Sequence, residues 1–237
     1  MPNPGKSVYV IQHTDGEFLG LMEDHLEGRG IAFNYMRPHT ADGGFPSSLD
    51  STDGLILLGG GPWGSAGTRN LPTLEFELLL TRDCLERGLP VVGIGLGAQI
   101  LAIAAGGSSE STPFVFEVCE AQRTSDDALN GFLPESYPLA IYMRDTLVLT
   151  DDATVLANDD QNRPAAFQIS ENALGFTGHP GVKSAMIEDL VMEFEESPED
   201  IASGLELLRT KQREFDEALK GIMTGIVQIT GLMDQQK

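Results

Sequence analysis

The chain has 237 residues, and its 36 acidic and 15 basic residues give a formal net charge of −21. Binding to nucleic acid or to an anionic membrane needs clustered Lys and Arg, which this chain lacks, so we expect neither partner. No basic segment precedes an apolar run at the N-terminus, and no run approaches 18 apolar residues. The sequence therefore predicts a cytoplasmic protein without a membrane span.

The two cysteines, Cys84 and Cys119, form neither a CxxC pair nor a metal-ligand spacing. This usage favours a reducing compartment and predicts no metal site. No motif indicates a cofactor. Cys84 falls in a predicted helix, where we expect it to pack in the core.

Apolar runs alternate with helical patterns in the N-terminal half of the chain. In order, the predicted elements are strand 7–12, helix 19–29, strand 31–35, strand 53–58, helix 72–87, strand 91–94 and helix 97–105. Strands that alternate with helices predict a parallel sheet covered on both faces. Sheets of this kind bind ligands at the carboxyl ends of their strands.

From about residue 110 the pattern changes to short strands separated by turns. The predicted strands are 114–118, 139–143, 154–157, 165–169 and 174–177, and a helix follows over 184–194. We expect residues 1–196 to form a single α/β domain.

The C-terminal residues 197–237 have a helical pattern of their own. Ser197 is a suitable N-cap, and Pro198 suits the first helical position. A seam of period 3.5 follows, at Ile201, Leu205, Leu208, Gln212, Phe215, Leu219, Ile222, Ile226, Ile229 and Met233. Gly221, Gly225 and Gly231 within this segment weaken a long uninterrupted helix. We therefore predict a helix pair that packs on the domain or forms a homodimer interface.

Residues 90–102 read as a buried strand, a tight turn and the start of a helix. This is the layout of a nucleophile elbow, in which a reactive side chain occupies the turn. The central residue here is Gly95, which has no side chain. The helix that follows directs its N-terminus at the turn, so the N–H of Leu96 is a candidate oxyanion donor.

Two further features point to the same edge of the predicted sheet. Gly59, Gly60 and Gly61 follow a strand directly, and backbone N–H groups in such a turn can approach an anion closely. His179 also follows a strand and lies between Gly178 and Pro180. A histidine in that position is a candidate general base, provided that another group orients it.

In these motifs the chain resembles a class I glutamine amidotransferase domain, in particular the stand-alone amidotransferase half of GMP synthase. The family elbow G-I-C-x-G-x-Q corresponds to residues 93–99, and its D-G…G-G-P turn corresponds to residues 53–62. Its histidine motif G-x-Q-F-H-P-E corresponds to residues 175–181. The resemblance implies a flavodoxin-like, three-layer α/β domain with a mainly parallel sheet and additional C-terminal helices.

The resemblance also implies chemistry. In the family, a Cys–His–Glu triad attacks the γ-amide of glutamine and forms a thioester. Transferred to this chain, His179 is the base. The substrate-facing positions are Gly60, Gly61, Leu96, Gln99 and Glu117, of which Gly61 and Leu96 donate to the oxyanion.

This sequence departs from the family pattern at specific positions. Gly95 stands where the family has its cysteine, and Gly181 stands where it has its glutamate. Gly178 replaces an aromatic residue, and residues 142–145 replace a W-H-G-D stretch. Loss of a nucleophile costs several orders of magnitude in rate.

Three interpretations stay open at this point. In the first, Gly95 is an engineered Cys→Gly change in a thiol amidohydrolase of glutamine or of a γ-glutamyl amine, with space beside Gly178 for a larger amine. Another carboxylate then orients His179, and the candidates are Glu117, Asp145 and Glu188. In the second, the chain is a natural pseudoenzyme that binds a γ-glutamyl or carboxylate ligand, or a partner such as a synthetase. In the third, it is a scaffold without a ligand.

Overall fold

The computed structural model describes residues 5–233. Over these residues the helices are α1 (Met22–Glu27), α2 (Leu74–Glu86), α3 (Leu96–Ala104), α4 (Ser184–Glu193) and α5 (Ile201–Ile229). The strands are β1 (Ser7–Ile11), β2 (Ala32–Met36), β3 (Leu55–Leu57), β4 (Val91–Ile94), β5 (Ser108–Glu110), β6 (Val115–Arg123), β7 (Ser136–Met143), β8 (Thr146–Val148), β9 (Thr154–Asp159), β10 (Pro164–Ile169) and β11 (Ala173–Phe176).

Within the described part of the chain, nine strands form one large sheet in the order β2-β1-β3-β4-β11-β10-β9-β6-β7. The strands from β2 to β11 are parallel, and those from β11 to β7 are antiparallel. Alternate side chains of β1 pack with α1 and α5 on one face and with α2 and α3 on the other. The three-layer α/β class predicted from the sequence is therefore confirmed.

The C-terminal seam from Ile201 to Ile229 lies in one helix, α5, so the predicted helix pair is wrong over the described residues, and Met233 lies beyond the end of that helix. Two of its interior glycines allow close packing: a Cβ at Gly221 would lie 2.5 Å from the Phe132 carbonyl oxygen, and one at Gly225 would lie 2.5 Å from Leu129 Cβ. The helix starts at Ile201, after Asp200 with φ +56°, and not at Ser197. Residues 234–237 lie outside the described part of the chain.

Two other differences concern short elements. Strands β5 and β8, which the sequence pattern did not predict, pair with each other in a small separate ribbon. Helix α1 is shorter than the predicted helix 19–29, because residues 17–21 instead pack over the carboxyl ends of the strands. No helix among residues 5–233 is long and apolar enough to cross a membrane.

We predict that α5 stabilises the domain through its buried face. Leu208 is fully buried, so Leu208→Ala should lower the free energy of unfolding by about 3 kcal/mol through lost burial and a cavity. Leu207 is 39% exposed, and Leu207→Ala should cost less than about 1 kcal/mol. Urea denaturation of both variants measures this difference, and equal losses would contradict the packing.

Candidate functional site

The elbow forms as predicted between β4 and α3. Gly95 has φ +56° and ψ −116°, a conformation that favours glycine. Its N–H donates to the Phe176 carbonyl oxygen at 2.8 Å. Apart from its chain neighbours, a Cβ at this position would meet only Gly59 Cα, at 3.4 Å, within 4 Å among the described residues. The turn is therefore an elbow with space for a side chain that this chain does not have.

Close packing of α3 brings the elbow beside the glycine turn, residues 59–61. A Cβ at Gly97 would overlap the Leu57 carbonyl oxygen, and the Gly97 N–H donates to the Leu58 carbonyl oxygen at 3.1 Å. The side chain of Leu96 lies against Gly60. Because Leu96 opens α3, its N–H has no acceptor within the helix. The two predicted anion-binding turns therefore meet.

The side chain of Glu17 occupies the glycine turn. The Gly61 N–H donates to Glu17 Oε2 at 3.3 Å, and a Cβ at Gly59 would overlap the same carboxylate. Glu17 is 5% exposed, and burial raises its pKa from 4.5 to about 7. The backbone groups predicted to bind an external anion therefore face a carboxyl group of the chain itself.

A buried ion pair holds the other side of this turn. His13 donates from Nδ1 to the Gly59 carbonyl oxygen at 2.9 Å and from Nε2 to Glu77 Oε2 at 2.7 Å. Since both partners are acceptors, we assign the doubly protonated ring. Burial by itself lowers the pKa of His13, but the Glu77 carboxylate holds it above its usual value.

His179 has both ring nitrogens engaged by the backbone. Its Nε2–H donates to the Phe18 carbonyl oxygen at 2.8 Å, and its Nδ1 accepts from the Gly181 N–H at 3.1 Å. Burial lowers the pKa of His179 to about 4, so the ring is neutral at pH 7. In this arrangement no ring lone pair remains to accept a proton from a nucleophile.

The candidate carboxylates do not orient His179, so that expectation is wrong. Glu117 pairs with Arg163 at 2.5 Å, and Glu188 pairs with Arg209 at 2.8 Å. Asp145 accepts from three backbone N–H groups, those of Ser65, Ala66 and Thr112. Each of the three carboxylates has a structural partner elsewhere.

The position of the family glutamate is closed. A Cβ at Gly181 would lie 2.8 Å from Met22 Cγ and 2.9 Å from the Leu19 carbonyl oxygen. The Gly181 carbonyl oxygen also accepts from the Leu21 N–H at 2.9 Å. Position 181 therefore has no space for a glutamate side chain unless the segment over residues 17–22 moves.

Two other predicted substrate-facing positions are also filled by the protein. The space beside Gly178 is not free for a larger amine, because a Cβ there would lie 2.7 Å from the Ala140 carbonyl oxygen. The buried side chain of Gln99 donates to the Arg144 carbonyl oxygen at 2.6 Å and accepts from the Ser65 hydroxyl. Gln99 thus joins α3 to two loops.

A small cavity, here called the elbow cavity, lies at the centre of these residues. Glu17, Gly95, Tyr142 and His179 line one side, and apolar side chains of α4 and the preceding loop close the other. Its free space is about that of one water molecule. Tyr142 is 7% exposed, and its hydroxyl has no hydrogen-bond partner within residues 5–233.

His13 and Glu17 were not predicted from the sequence as site residues, and Tyr142 stood out only as part of residues 142–145, which depart from a family motif. The position of His13 and Glu17 could have indicated them, because both follow β1 at the carboxyl edge of the parallel sheet, where such folds bind their ligands. Nothing in the local pattern marks Tyr142, since the strand that carries it is apolar on both sides of it.

The fold and the elbow define an α/β domain of the amidotransferase type. Residues 17–193 match the family model described as glutamine amidotransferase class-I. The chain therefore belongs to the class I glutamine amidotransferase family.

Solved structures show the same fold. A glutamine amidotransferase from Methylobacillus flagellatus has a TM-score of 0.80 and 21% identity, and 95% of each chain is covered. One from Thermotoga maritima has a TM-score of 0.80 and 24% identity, with 96% of this chain and 99% of that chain covered. A putative GMP synthase subunit from Thermoplasma acidophilum has a TM-score of 0.58 and 20% identity, with 90% of this chain and 100% of that chain covered. No curated protein matches the chain significantly.

The elbow glycines should differ in their tolerance of a side chain. Gly97→Ala places a Cβ on the Leu57 carbonyl oxygen and should cost about 3 kcal/mol or more. Gly95→Ala adds only backbone strain, and we expect a loss of about 1–2 kcal/mol. Chemical denaturation of both variants tests this order, and a larger loss for Gly95→Ala would contradict it.

The buried carboxyl of Glu17 should make stability depend on pH. Because its folded pKa of about 7 lies above the unfolded value, the folded state binds more protons between these values and loses stability as pH rises through them. Glu17→Gln removes this loss, so its stability relative to the parent should rise by on the order of 3 kcal/mol from pH 4.5 to pH 8. Urea denaturation across this range tests the trend. The exposed change Glu206→Gln is the control and should show none.

Proposed function

We propose that this chain is a pseudoenzyme of the class I glutamine amidotransferase family, which binds a γ-carboxamide or carboxylate ligand at the elbow without forming a thioester. The engagement of both ring nitrogens of His179 carries the proposal. Thioester formation needs a thiol and a base with a free lone pair. Gly95 supplies no thiol, and His179 donates to one backbone group and accepts from another.

The closed position 181 favours this proposal over a single engineered Cys→Gly change. If only the cysteine had been replaced, the rest of the triad would be intact. Instead Met22 and the Leu19 carbonyl oxygen occupy the space that a side chain at Gly181 would need. The elbow and the acid position therefore both differ from the family.

The chain's own cysteines are unsuited to replace the missing thiol. Burial raises the pKa of Cys84 and of Cys119 to about 12. The reactive form of cysteine is the thiolate, which is scarce for both groups at pH 7. Neither cysteine forms a disulfide among the described residues. This supports a cytoplasmic location, which we also propose.

The ligand that we propose is glutamine or a γ-glutamyl amide. The N–H of Leu96, which has no acceptor within α3, offers a backbone donor at the elbow. One structural neighbour is described as a putative GMP synthase subunit, and we propose a synthetase-like partner chain for this protein as well.

Restoring the thiol alone should not restore catalysis. We expect Gly95→Cys to release glutamate from glutamine, or from a panel of γ-glutamyl amides, no faster than the parent chain, because His179 has no free lone pair and no carboxylate partner. A coupled glutamate assay measures this. Release well above the parent rate would instead support an amidohydrolase disabled at one position.

Ligand binding separates the proposal from a scaffold without a ligand. Glutamine that binds only the folded state must raise the melting temperature of the parent chain as its concentration rises. A melting temperature unchanged by glutamine, glutamate and γ-glutamyl amides would overturn the proposal.

A further inference from the structure

The elbow cavity has a polar composition that the missing triad does not explain. The Tyr142 hydroxyl is buried without a hydrogen-bond partner among the described residues, in a cavity that Glu17 also lines. A buried hydroxyl without a hydrogen-bond partner destabilises the folded state. Such a group is a reason to look for a ligand atom or a water molecule that it binds.

The size of the cavity limits what can enter it. Its free space suits one water molecule, and therefore one terminal heavy atom of a ligand that displaces this water. That atom would lie between the Glu17 carboxyl and the Tyr142 hydroxyl. Its hydrogen-bonding character therefore decides whether the ligand is accepted.

The charges around the cavity favour a hydrogen-bond donor. Glu17 faces the His13 imidazolium, which favours its ionised form, and Glu193, which opposes it. Tyr142 and His179 are the other titratable groups of the lining, and His179 is neutral. Ionised Glu17 accepts hydrogen bonds and repels a second carboxylate.

We infer that Glu17 and Tyr142 are the specificity-determining pair of this site, admitting an uncharged carboxamide and excluding the matching carboxylate. The amide nitrogen donates one N–H to the Glu17 carboxylate and the other to the Tyr142 oxygen. A carboxylate oxygen in the same place has no proton to donate. The glycine turn, which by itself would attract an anion, is thereby closed to anions by the chain's own side chain. This inference rests on the proposed function.

Protonation of Glu17 should weaken the selection. A neutral Glu17 carboxyl no longer repels a carboxylate, and its O–H can donate to one. Glutamine and glutamate differ only in this terminal group. The side chain of glutamate stays ionised at pH 6. A change between pH 8 and pH 6 in the preference for glutamine over glutamate therefore reflects protonation of the protein and not of the ligand.

The test is isothermal titration of the full chain with glutamine and with glutamate at pH 8 and pH 6. We expect at least tenfold tighter binding of glutamine at pH 8 and a smaller ratio at pH 6. Glu17→Gln should bring the ratio close to one at both pH values. Tyr142→Phe should weaken glutamine binding about tenfold.

Two controls separate recognition from general effects on the fold. Tyr137 also has a buried hydroxyl that lacks a hydrogen-bond partner within residues 5–233, and it lies five residues before Tyr142 on the opposite face of β7. Tyr137→Phe should therefore leave glutamine affinity unchanged. Glu206→Gln makes the same charge change on the exposed side of α5 and should leave the ratio unchanged.

The outcomes distinguish this inference from the proposed function. Equal binding of the two ligands at pH 8, or a glutamine preference that survives Glu17→Gln, overturns the inference and leaves ligand binding at the elbow intact. Binding of neither ligand by the parent chain overturns the proposed function, and the inference fails with it.

Discussion

The site depends on the close approach of α3 to the ends of β3 and β4. With hydrogen as its side chain, Gly97 lies against the Leu57 carbonyl oxygen, and its N–H donates to the next carbonyl along the chain. This contact places the first turn of α3 and the glycine turn next to each other. A larger residue at position 97 would push the helix away and separate the two.

The segment over residues 17–22 sets the state of that site. Glu17 accepts from the glycine turn, the Phe18 carbonyl oxygen accepts from His179, and the Leu21 N–H donates to Gly181. Three successive contacts thus engage the glycine turn, His179 and position 181. The three positions predicted from the sequence are therefore all in contact with this one segment of the chain.

Local patterns were sufficient to predict the elements that position the site. The apolar runs of β3 and β4 and the glycines that follow them predicted strands ending in tight turns, and both turns form there. Long-range contacts decided what local patterns could not. Gly221 and Gly225 were expected to weaken a long helix, yet α5 continues through them, because their lack of side chains lets residues 129–132 approach the helix.

The candidate carboxylate partners of His179 also depended on long-range contacts that local patterns do not predict. Glu117, Asp145 and Glu188 were reasonable from residue type, but which carboxylate lies near a given ring depends on strand order and on local competition. Instead, Glu117 pairs with Arg163, Asp145 accepts from three backbone N–H groups, and Glu188 pairs with Arg209. The spacing of these residues along the sequence does not predict such contacts.

By itself, the sequence determined the α/β class, the elbow, the glycine turn and the absence of a side chain at Gly95, because these follow from local periodicity and residue identity. Only the tertiary structure decided that Glu17 fills the glycine turn, that His179 is neutral with both nitrogens engaged, and that position 181 is closed. Those features arise where segments distant in sequence meet, and burial there sets the pKa of Glu17 and of His179.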